Sequence, residues 1–65
     1  MEISTITFRD PDNQDEGCAI IRATSGRIVL CLSLRSNGDT EVSIPVKDAT
    51  KLVAALERAV AMASD

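Results

Sequence analysis

Between Ala19 and Val46 the large aliphatic residues are spaced so that folding the chain back at its two turn-forming sites brings nearly all of them to one side of a sheet. A strand alternates its side chains between two faces, so the loop joining two strands decides which residues share a face. Loop length therefore constrains this fold more tightly than composition does.

Ser25-Gly26 suits a two-residue hairpin turn, because glycine reaches the positive φ that such turns require. With Thr24 opposite Arg27, one face pairs Ala23 with Ile28, Ile21 with Leu30 and Ala19 with Leu32. The other pairs Arg22 with Val29, Ile20 with Cys31 and Cys18 with Ser33. The first face reads as core. At Asn37-Gly38 a two-residue turn sets Leu32 against Ser43 and wastes the pattern. A three-residue loop, Ser36-Asn37-Gly38, instead pairs Leu32 with Val42, Leu30 with Ile44 and Ile28 with Val46. Burial of each aliphatic group contributes roughly 1.5–3 kcal/mol, which outweighs local turn preference and selects the odd loop.

A first strand is expected over Glu2 to Arg9, with Ile6 and Phe8 on the parity of Ser4 and Ile3 on the other; parity alone assigns it no face. From Asp10 to Gly17 turn formers and charge replace apolar residues, which predicts a mobile connection. Pro45 cannot donate to a ladder, so it ends the last strand or lies on its open side. A helix is predicted to begin near Lys47. Within Lys47 to Ala63, residues Ala49, Leu52, Val53, Leu56, Val60 and Ala63 form one apolar stripe, expected to cover the core face of the sheet. Asp48 sits in the first turn, where a negative charge suits the helix dipole. The resulting expectation is a single α+β domain over residues 1–65: a four-stranded antiparallel meander, β-β-β-β-α, with its C-terminal helix packed on one face.

A chain of 65 residues buries only about 60% of the surface that its unfolded form exposes, and Phe8 is its one aromatic residue. Self-association removes more apolar surface without a longer chain, so a homodimer is expected. A net charge of −3 argues against a general pull toward membranes or nucleic acid. No transmembrane run is present, and Met1-Glu2-Ile3 lacks the basic start of a signal peptide, so the expected location is cytoplasmic.

Catalytic and metal chemistry find little support. There is no histidine and no Cys-x-x-Cys, and the acids from Asp10 to Glu16 depart from the calcium-loop pattern, with Gln14 and Asp15 where a third ligand and a turn glycine belong. The serines have no neighbouring base, and nothing orients Lys47 or Lys51. Neither enzyme activity nor a cofactor is expected. Cys18 and Cys31 fall diagonally on the outer face and read as small fillers in a reduced protein.

That outer face is the candidate for partner binding. Ile20, Val29 and Cys31 form an apolar centre, and Arg22, Arg27 and Arg35 frame it, which is the anatomy of a protein–protein interface. Ala55, Ala59 and Met62, flanking the helix stripe, offer a second surface. The expected function is a non-enzymatic protein–protein interaction or regulatory module. The alternative is a single-stranded nucleic-acid-binding protein, its phosphate contacts coming from the same three arginines. The strand and helix order resembles the single-stranded-DNA-binding transcriptional coactivators, and that resemblance is topological. Such binding also calls for aromatic stacking platforms and excess positive charge, and this chain supplies neither. Across Gly38-Asp39-Thr40-Glu41-Val42-Ser43-Ile44 and then Ala49, Leu52 and Leu56, the C-terminal half resembles a group of short uncharacterised bacterial proteins that end in a similar Gly-Asp strand and alanine-rich helix. This implies a strand-to-helix unit and no activity.

Overall fold

A computed structural model of the chain describes residues 1–64. Four strands, β1 (Glu2–Arg9), β2 (Glu16–Thr24), β3 (Arg27–Leu34) and β4 (Gly38–Pro45), form one antiparallel sheet in chain order, and α1 (Val46–Ala63) follows directly. The α+β meander with a C-terminal helix is the expected fold.

The β2–β3 ladder has the expected register throughout, from Thr24 opposite Arg27 to Gly17 opposite Leu34. Gly26 takes a φ of 77° at its turn, as the loop length requires. The β3–β4 register differs from expectation by two residues. Leu34 faces Gly38, so the connecting loop is Arg35-Ser36-Asn37, and Leu32, Leu30 and Ile28 face Thr40, Val42 and Ile44 in place of Val42, Ile44 and Val46. A two-residue slip returns every side chain to the same face, so burial cannot separate the two registers. The turn decides: Asn37 N donates to Leu34 O at 3.1 Å, and Gly38 supplies the left-handed conformation with a φ of 78°. The loop, still three residues but set one position earlier, also places Pro45 opposite Arg27 and frees Val46, expected in the strand, to start the helix.

β1 pairs with β2 through a bulge at Ile3, and Ser4, Ile6 and Phe8 stand opposite Ile21, Ala19 and Gly17. This register puts Ile6 and Phe8 on the aliphatic side. Phe8 lies across Gly17, where an added Cβ would collide with the ring. The aliphatic face then reads in rows across the sheet: Phe8, Gly17, Leu34, Gly38; Ile6, Ala19, Leu32, Thr40; Ser4, Ile21, Leu30, Val42; and Ala23, Ile28, Ile44. No charged residue occurs in any row.

The connection from Asp10 to Asp15, expected to be mobile, is closed on itself by hydrogen bonds. Asp10 Oδ1 accepts from Asp12 N at 2.8 Å, Asn13 Oδ1 accepts from Asp15 N at 2.9 Å, and Gln14 N donates to Asp10 O at 2.8 Å. Short acidic and amide side chains that replace water at backbone donors stiffen such a loop.

The helix begins after Pro45, whose fixed ring suits the edge of a helix, and Val46 N donates to Gly26 O at 3.3 Å. It approaches β3 and β4 and no other strand. Its stripe was expected to cover the sheet, yet Leu52 is 37% exposed, Leu56 54% and Val60 64%. Helix and sheet therefore meet near the helix start, and the distal stripe is open. Opposite, Ile6, Phe8, Leu32 and Val42 are 44–51% exposed. A radius of gyration of 13.0 Å, against about 11 Å for a compact chain of this length, records the same departure.

The turn assignment is open to test. A Cβ at Gly38 meets no atom within 4 Å, so Gly38→Ala is expected to cost about 1 kcal/mol through backbone strain alone. Urea unfolding at fixed protein concentration measures it, and an unchanged or raised midpoint would count against the left-handed turn.

Candidate protein-interaction face

The outer face also reads in rows: Arg9, Glu16; Thr7, Cys18, Ser33, Asp39; Thr5, Ile20, Cys31, Glu41; Glu2, Arg22, Val29, Ser43; and Thr24, Arg27, Pro45. Ile20, Val29, Cys31 and Arg22 sit together at its middle, each half-buried, with Ile20 opposite Cys31 and Arg22 opposite Val29. Cys18 and Cys31 are diagonal neighbours and both are free thiols.

The other two arginines are at opposite ends. Arg27 is the first residue of β3, whereas Arg35 lies in the β3–β4 loop, eight residues further on and so about 26 Å away along an extended strand. Arg35 still belongs to this side, because its N–H donates to Glu16 O at 3.0 Å and continues the β2–β3 ladder. Its guanidinium is not free: Nη1 stands 3.9 Å from Glu16 Oε2, and Arg9 Nη2 stands 3.9 Å from Glu16 Oε1. At that length and exposure these pairs contribute little to stability, but they balance charge locally. The expected arginine cluster is thus split, Arg22 and Arg27 staying diagonal neighbours while Arg35 lies at the other end, with Asp39 and Glu41 along the same face. Phe8, the chain's aromatic residue, occupies the opposite face, so the sheet does not combine stacking with phosphate contacts on one surface.

Several contributors were not anticipated. Thr5 and Thr7 extend the outer face onto β1, and Arg9 with Glu16 closes one end. Their alternation with Ile6 and Phe8 was visible in the chain, but only pairing with β2 assigns the face. Asp15 ties the β1–β2 connection to the β3–β4 loop. Its Oδ2 accepts from Ser36 Oγ at 2.5 Å and from Ser36 N at 2.9 Å. The Ser36 hydroxyl, followed by its amide, holds the Asp15 carboxyl below the usual carboxylate range.

Among the described residues, no three His, Cys, Asp or Glu side chains gather as a metal site, and no helix is long and apolar enough to cross a membrane. What the outer surface offers is a shallow apolar centre with a rim of mixed charge. No family model, curated protein or solved structure matches the chain.

Because the folded Asp15 carboxyl is depressed, its link to Ser36 adds stability above the ordinary carboxylate range and loses it as pH falls through the folded value. Ser36→Ala removes the first of the two donors and is expected to move the Asp15 titration upward, toward its ordinary value. Carbon-detected NMR of the Asp15 carboxyl follows this, and an unmoved titration would reject the assigned cause.

Proposed function

We propose that this chain is a small cytoplasmic, non-enzymatic interaction module that works as a homodimer and presents the outer face of its sheet to a protein partner. One observation carries the dimer. The chain exposes 5089 Å², whereas a folded monomer of 6.9 kDa exposes about 4,000 Å². The excess, about 1,100 Å², is more than the roughly 800 Å² that each partner commonly buries in a stable interface. The open aliphatic face and the open helix stripe together hold eight of the twelve large apolar side chains that are exposed among the described residues.

With those surfaces occupied by self-association, the outer face is the remaining apolar surface. Ile20, Val29 and Cys31 provide a centre that can exclude water, and Arg22, Arg27 and Arg35 with Glu16, Asp39 and Glu41 provide orienting charge. Mixed signs at the rim favour a protein surface over a uniformly anionic polymer. Two free cysteines suit a reducing compartment.

Sedimentation equilibrium at micromolar concentration is expected to give twice the 6.9 kDa chain mass. A monomer at that concentration would remove the dimer. Arg22→Glu combined with Arg27→Glu is expected to leave the dimer mass unchanged, since both residues lie on the outer face. Dissociation of that variant would instead assign the outer face to self-association.

A further inference from the structure

The structure holds two unpartnered apolar surfaces that differ in shape, and the difference bears on how two copies fit. One is the flat, uncharged sheet face, open at Ile6, Phe8, Leu32 and Val42. The other is the ridge of the distal helix, where Val53, Leu56 and Val60 frame a shallow, almost wholly apolar surface. The helix starts beside the Arg27–Pro45 end of the sheet and touches only β3 and β4, so it leaves the far end of its own aliphatic face bare. There Phe8, Leu32, Leu34 and Thr40 line an apolar hollow.

We infer that the homodimer is a reciprocal helix exchange: the distal half of each α1, through Val53, Leu56 and Val60, lies on the open Ile6, Phe8, Leu32 and Val42 surface of the other copy. This rests on the dimeric reading and specifies its geometry. A two-fold interface is self-complementary, so one helix-on-sheet contact is necessarily matched by its symmetry mate. Helices packed only on each other leave both sheet faces in water. Sheets packed only on each other leave both helix stripes in water. Exchange covers the two surfaces with a single symmetry operation, and the excess of about 1,100 Å² per chain is enough for a standard interface. Dimensions agree as well. The ridge from Val53 to Val60 spans about 11 Å of helix, which fits within the roughly 26 Å of an eight-residue strand.

Mixing two charge-bearing variants tests the geometry. Leu56→Glu with Val60→Glu spoils the ridge, and Leu32→Lys with Val42→Lys spoils the face. Exchange predicts that each variant alone self-associates about a hundredfold more weakly than the natural chain, because both contacts of its dimer bury unpaired charge. It predicts that the mixture associates again, since one contact is then fully apolar and the other sets Glu against Lys. A ridge variant that dissociates while the face variant remains dimeric would show helix-on-helix packing and overturn exchange alone. The reverse pattern would show sheet-on-sheet packing and do the same, as would a mixture that stays monomeric. A monomeric natural chain would overturn the dimer itself. Should a variant lose its circular dichroism, the natural chain still decides: isotope-filtered NOEs in a half-labelled sample are expected between Leu56 or Val60 methyls of one copy and Leu32 or Val42 methyls of the other. Their absence in a sample of dimer mass would reject the exchange.

Discussion

The ladder between β2 and β3 is the interaction on which the rest of the molecule depends. Its pairs, running from Thr24 opposite Arg27 to Gly17 opposite Leu34, bring Ala19, Ile21, Ala23, Ile28, Leu30 and Leu32 to one side and Ile20, Arg22, Val29 and Cys31 to the other. Every later decision inherits that partition. β1 adds Ile6 and Phe8 to the first side because it joins β2, and β4 adds Val42 and Ile44 because it joins β3. A single residue of slip in the central pair would exchange the two faces, and burial of the aliphatic groups opposes such a slip strongly.

The same partition creates a surface that the chain does not cover by itself. Five elements in 65 residues leave one helix to cover four strands, and that helix meets only β3 and β4. An isolated helical segment shorter than about 12–15 residues is marginal in water even when rich in alanine, so the distal half of α1 gains most from a surface to lie on. A chain with one aromatic residue has few large side chains with which to fill an interior. Under the proposed dimer, association completes the core, and the outer face, with its half-buried Ile20, Val29 and Cys31, is what remains for other work.

Legibility in the chain followed the physics of each feature. The β2–β3 hairpin could be read because turn chemistry at Ser25-Gly26 and the alternation of aliphatic groups point to one register. The β3–β4 register could be read only to within two residues, because Leu30 opposite Val42 and Leu30 opposite Ile44 bury equivalent groups on the same face. What settles it is the turn itself, with Asn37 N on Leu34 O and the left-handed Gly38, together with the grip of Asp15 on Ser36 from twenty-one residues away. For the outer face, the apolar middle was legible from parity, while the separation of Arg35 from Arg22 and Arg27 and its pairing with Glu16 were not. Side-chain charge pairing depends on where loops end, and periodicity carries no information about that.

By itself, the sequence determined the element order, the membership of the two sheet faces and the amphipathic helix. These follow from repeats of 2 and 3.6 residues and from a few turn formers, which are local properties. The tertiary structure alone decided the bulge at Ile3, the exact offset of β4, the closure of the Asp10–Asp15 loop and the path of α1 away from most of the sheet. The offset of β4 is a choice between arrangements that bury the same side chains equally well, whereas the path of α1 leaves Leu56 and Val60 uncovered. Contacts between distant segments break that tie, and in doing so they leave the aliphatic face open.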